Sequence, residues 1–79
     1  MLFSLYYSDK AFKNLKQIPR KWQERIVKAV DGLKKHPYEG KKLCGQFDGC
    51  FSLRVWPYRI IYIVNQRKIT IVVLDIGHR

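Results

Sequence analysis

At Cys50 the hydrophobic period of this chain changes from that of a helix to that of a strand, and few architectures can accommodate both halves. Upstream, apolar residues recur at helical spacing: Ala11, Phe12, Leu15 and Ile18 form one stripe, and Trp22, Ile26, Ala29, Val30 and Leu33 a second, cleaner one. Downstream, Phe51, Leu53 and Val55 alternate with Ser52, Arg54 and Trp56, the period of a half-buried strand. The punctuation agrees. Residues 2–7 (LFSLYY) read as a short strand, and Ser8-Asp9 supplies an N-cap and an acidic first turn for a first helix. Pro19 ends that helix and suits the first turn of a second, which closes on Lys34, Lys35 and His36 before Pro37. Residues 37–49, with three glycines and a proline, read as a long loop carrying the basic pair Lys41-Lys42. A strand from Cys50, a turn at Pro57, a strand from Arg59 to Asn65, a turn at Asn65-Gln66-Arg67 and a strand from Lys68 to Ile76 complete the chain. The last strand is apolar on both faces, as a central, covered strand is. The expected fold is α+β, ordered β-α-α-β-β-β, with a helical hairpin on one face of a mostly antiparallel four-stranded sheet.

Seventy-nine residues make a single domain, 1–79, with a thin core. Sixteen Lys and Arg oppose six Asp and Glu, a net charge of +10. Such a field favours a polyanion such as nucleic acid or the ribosome, an acidic membrane, an acidic protein partner, or mere solubility. Cys44 and Cys50 match no metal or redox spacing, and with only His36 and His78 as co-ligands no metal or cofactor is expected. Both cysteines read as reduced thiols of a cytoplasmic protein. The N-terminus has no basic region or cleavage site of a leader, and the longest apolar runs fall far short of the roughly 20 residues of a membrane span.

The hairpin around Pro57 locates part of the charge. If Leu53 and Val55 face the core, Ile60 and Tyr62 of the partner strand face it too, whether the two-residue turn is Trp56-Pro57 or Pro57-Tyr58. Side chains alternate, so either register puts Arg54 and Arg59 together on the opposite face. Like charges on neighbouring strands repel. Either both splay into solvent or an anion sits between them. Trp56 shares their face, as a platform for a base or as a packing cap. At the other end of the sheet, Gly77 permits a sharp exit for His78 and Arg79. A histidine has an ordinary pKa close to neutrality, which suits proton transfer, although a lone histidine near a terminus is usually inert.

Residues 51–79, FSLRVWPYRIIYIVNQRKITIVVLDIGHR, resemble the C-terminal half of the RelE/ParE superfamily of toxin–antitoxin toxins. The Tyr58–Tyr62 stretch and the Asp-Ile-Gly-His-Arg ending carry the likeness, and element order, helical pair and basic charge agree with it along the whole chain. The resemblance to the RelE-like branch implies a ribosome-dependent mRNA endonuclease that needs no metal. Arg54, Arg59 and Arg79 would form its cationic catalytic site, with His78 as acid–base candidate, and Lys41, Lys42 and Trp56 would contact RNA. It also implies an acidic antitoxin in a toxin–antitoxin hetero-oligomer, the ribosome and mRNA as partners, and no membrane. Two departures stand out. Some relatives carry lysine where this chain has Ser52, and many continue past Gly-His-Arg to a catalytic tyrosine, whereas this chain stops at Arg79, either naturally short and attenuated or with the tail missing from it. Two further readings stay open: a ParE-like DNA gyrase inhibitor, because the superfamily includes gyrase-poisoning members, and a member disarmed by the short C-terminus and Ser52 that only binds antitoxin or RNA.

Overall fold

The computed structural model describes residues 2–43 and 49–78. Its elements are β1 (Ser4–Tyr7), α1 (Asp9–Lys16), α2 (Arg20–Asp31), a 3-10 turn (Gly32–Lys34), β2 (Lys41–Lys42), β3 (Cys50–Val55), β4 (Tyr58–Asn65) and β5 (Thr70–His78). The strands form one sheet ordered β1-β5-β4-β3-β2, parallel between β1 and β5 and antiparallel elsewhere. The expected α+β arrangement is present, with the apolar last strand near the centre.

The helices form where the stripes and caps indicate. The Ser8 hydroxyl accepts the Ala11 N–H at 3.1 Å and donates to the Leu74 carbonyl at 2.9 Å, so one side chain starts α1 and pins it to β5. Leu74 falls in a register shift, where Ile61 pairs with Asp75 but Tyr62 pairs with Val73. Such a bulge turns a backbone carbonyl out of the ladder toward another partner. Asn14 donates to the Asp75 carboxylate at 2.8 Å, and Lys10 lies 3.6 Å from it, so packing of α1 accounts for Asp75. Gln23 of α2 donates to the Leu15 and Ile18 carbonyls, both at 2.9 Å, closing the C-terminal end of α1 and tying the hairpin together. The core lies between helices and sheet: Ala11, Leu15, Ile26, Val30 and Leu33 meet Ile60, Tyr62, Ile71, Val73 and Ile76.

Four local expectations are corrected. The sheet has five strands rather than four, because Lys41-Lys42 pairs with Ser52 and Phe51 instead of lying in a loop. Pro19 is the N-cap of α2, not part of its first turn, because its extended ψ of 142° is non-helical. The second helix ends at Asp31, and Leu33 reaches the core from the tighter 3-10 turn. Phe12, one residue beyond the buried Ala11, turns out to solvent, where the Lys16 ammonium covers its ring at 4.8 Å.

Candidate functional site

The β3–β4 turn is Trp56-Pro57, with Val55 opposite Tyr58. The next pair is Arg54 and Arg59, directly opposite each other, and Arg59 in turn lies opposite Gly77 of β5. Facing residues of adjacent strands share a side of the sheet, so Gly77, Arg59 and Arg54 form a row on the side away from the helices. The neighbouring row, Val55–Tyr58–His78, points to the helix side. A Cβ built on Gly77 would meet nothing within 4 Å, so the arginine row is open toward β5.

Both guanidinium groups are exposed, and among the described residues neither has an ion-pair partner. They wall two adjoining depressions. Trp56, Pro57 and Tyr58 complete the first. The second adds Lys41, Gly40, Ser52 and the carboxylate-bearing Glu39. Lys41 pairs with Ser52, which shares a face with Arg54, so alternation brings Lys41 to the arginine side. Trp56, 60% exposed, stands at the turn beside them. The charge as a whole is not confined to this face. Three cations lie on α1, four on α2 and one on the 3-10 turn, so adjacency on the sheet, not total charge, singles out the candidate site.

Two predicted residues lie elsewhere. Lys42 pairs with Phe51 and therefore projects to the helix side, away from Lys41. His78 projects to the helix side as well, its ring edge-on to Tyr58 at 5.3 Å, and Tyr58 contacts Trp22 edge-on at 6.4 Å. Lys21 and Arg25 flank the Trp22 ring, each at 5.0 Å. The structure thus brings together Lys41, Arg54, Arg59 and Trp56, and places Lys42 and His78 across the sheet from them. Arg79 and Cys44 lie outside the described residues.

One residue adjoining this site escapes sequence reasoning. Tyr62 is fully buried in the core, as alternation predicts, but its hydroxyl accepts the Gly40 N–H and donates to the Pro37 carbonyl, each at 2.9 Å. A phenol between Ile60 and Val64 on the core face of β4 is the available signal, because a buried tyrosine hydroxyl needs a partner. Burial pushes the Tyr62 phenol above its ordinary value; the Glu39 charge adds to this and the Gly40 N–H partly offsets it. Burial, helped by the Asp31 charge, raises Tyr7 too. Their unfolded counterparts ionise near pH 10. The folded phenols hold their protons longer, so the folded state binds more protons and stability falls as pH rises from about 10 toward the raised folded values. Urea melts from pH 9 to 11 should show this decline, and Tyr7→Phe should make it shallower; an unchanged slope in that variant would remove Tyr7 as a contributor.

Comparison with known proteins agrees with this architecture. The family described as ParE toxin of type II toxin–antitoxin system, parDE, matches residues 5–79. Toxin RelG of Mycobacterium tuberculosis is 28% identical over 81 residues, spanning all of this chain and 93% of that protein. In the toxin–antitoxin complex RelBE2 of the same organism, one chain superposes with a TM-score of 0.92 at 27% identity, over all of this chain and 93% of that one. A chain of the archaeal RelE–RelB complex from Pyrococcus horikoshii gives 0.85 at 26% identity, over 100% and 97%. With the family match covering nearly every residue, from the first strand to the Gly-His-Arg ending, the chain belongs to the ParE toxin family of type II toxin–antitoxin systems.

Proposed function

We propose that this toxin is a ribosome-dependent mRNA endonuclease of the RelE-like kind, and that Arg54 and Arg59 hold the scissile phosphate. The observation that carries this reading is the directly opposed arginine pair on an open sheet face, with Lys41 and Trp56 alongside and no ion-pair partner among the described residues. Two adjacent guanidinium forks match the oxygens of a phosphate, and their mutual repulsion is relieved when an anion lies between them. The similarity to Toxin RelG and to chains of the RelBE2 and RelE–RelB complexes supports the RelE-like branch of the family.

In the proposed reaction the RNA 2′-oxygen bonds to the adjacent phosphorus while the P–O5′ bond breaks. The 2′-hydroxyl loses its proton, the departing 5′-oxygen gains one, and a cyclic phosphate and a 5′-hydroxyl remain. The arginines stabilise the charge that accumulates on the crowded phosphate. Arginine stays protonated at any working pH, so the proton carrier is another group. His78 is the candidate. Because it lies across the sheet from the arginine row, RNA must pass around the end of β5 to meet both. Arg79 contributes further positive charge, and the ribosome presents the codon, so free RNA is cut poorly. An acidic antitoxin neutralises this basic surface, consistent with the antitoxin complexes formed by the M. tuberculosis and P. horikoshii relatives.

Primer extension on a programmed ribosome tests the proposal. Wild type should cut mRNA within the A-site codon, and His78→Ala should cut more slowly. Cuts undiminished in the variant would remove His78 from the chemistry. If folded protein makes no cuts at all, the choice passes to the gyrase-directed reading, which the family's parDE description favours, or to a member that only binds. Inhibition of gyrase supercoiling separates those two.

A further inference from the structure

The second depression at the arginine site depends on a very short strand. β2 comprises only Lys41 and Lys42, paired with Ser52 and Phe51. In a strand, a slip of one residue moves every side chain to the other face. For β2 a slip exchanges the two lysines: the one now beside Arg54 and Arg59 would turn to the helix side, and the other would replace it. Two lysines supply no apolar alternation to prefer one register. Two contacts flank the pair. Downstream, the Leu43 N–H donates to the Cys50 carbonyl at 2.9 Å. Just upstream, the buried Tyr62 hydroxyl, the only side-chain group of the two, is held between the Gly40 N–H and the Pro37 carbonyl.

That contact tolerates little displacement. A Cβ on residue 40 would come within 2.7 Å of the Tyr62 hydroxyl and 2.8 Å of the Ser52 carbonyl, so only glycine lets the chain pass this close. The Tyr62 ring cannot shift to compensate, being fully buried and stacked on Phe51 at 5.5 Å. Phe51 in turn meets Tyr38 edge-on at 5.4 Å, holding the same segment from its other side. Residue 40 is therefore fixed against the sheet, and residue 41 follows with its side chain on the arginine face.

We propose that Tyr62 is a positioning residue, whose hydroxyl sets the register of β2 and so decides that Lys41, and not Lys42, stands beside Arg54 and Arg59 to bind RNA phosphate. This rests on the RNA-binding reading of the site.

The test measures binding of a 2′-O-methyl single-stranded RNA, which the toxin cannot cleave, against salt concentration. In wild type, Lys41→Ala should lower the slope of log affinity against log salt by about 0.7, one phosphate contact, while Lys42→Ala leaves it unchanged. In a Tyr62→Phe background this difference between the lysines should collapse, with both alanine variants losing similar affinity. If Tyr62→Phe is not folded by circular dichroism, Gly40→Ala disturbs the same contact from the loop side and takes its place. A lysine preference as strong in either background as in wild type would overturn the inference, as would equal effects of the two lysines in wild type. Should Arg54→Ala and Arg59→Ala bind this RNA as tightly as wild type, the RNA reading itself fails; lost binding in those variants with an intact lysine preference in Tyr62→Phe defeats the positioning role alone.

Discussion

An Arg59→Ala toxin should fold normally and lose about 100-fold or more in the rate of A-site cleavage on a programmed ribosome, the order seen when one pre-organised donor to a developing anion is removed. Arg59 lies between Arg54 and the open position at Gly77, so its guanidinium stands at the middle of the row. Arg54→Ala should cost a similar factor. The double variant should lose much less than the product of the two, because a phosphate already missing one arm of the clamp has less stabilisation left to lose. Both side chains are exposed, so melting temperatures should remain near or above wild type, repulsion between strands having been relieved. Cleavage and growth arrest undiminished in Arg59→Ala would place the site elsewhere.

Ile26→Ala should act on the fold. Ile26 is 0% exposed on α2, in the layer between helices and sheet. Truncating such a residue costs about 2–5 kcal/mol through lost burial and the cavity left behind. A domain of this length holds only about 4–12 kcal/mol in total, so the variant should melt roughly 10–30 °C lower or fail to fold. The adjacent Val27 is 45% exposed, and Val27→Ala should stay within about 0.5 kcal/mol of wild type. Thermal melts of the pair decide the matter: equal losses would mean that α2 packs through a different face.

The arginine pair was legible in the sequence because parity alone decides which face it takes. Leu53, Val55, Ile60 and Tyr62 identify the buried side, and any even-length turn between Val55 and Arg59 leaves Arg54 and Arg59 together. Parity was unreadable for β5, where Thr70–His78 is apolar on both sides and a bulge at Leu74 shifts the count. The side chosen by His78 was therefore hidden until its pairing with Tyr58 was seen. β2 was invisible for a different reason. A pair of lysines has the composition of a solvated loop; what makes it a strand is its pairing with Ser52 and Phe51, and the loop just before it is held by the hydroxyl of Tyr62, much further along the chain. Local pattern reports which face of an element is apolar; it carries no information about which distant hydroxyl fixes a loop.

The parallel pairing of β1 with β5 joins Ser4–Tyr7 to Thr70–Val73, almost the full length of the described chain apart. The strand that supports both β1 and α1 is thus synthesised after the other four described strands. A nascent chain that has emerged as far as β4 contains the helical stripes and the β3–β4 hairpin, but Ile71, Val73 and Ile76 are missing from its core. Contacts of such long sequence separation cost loop-closure entropy before they return any burial, and they slow folding accordingly. Closure of this sheet therefore waits for β5, leaving an interval after the helices and hairpin have emerged in which the arginine pair exists but is not yet backed by a finished core.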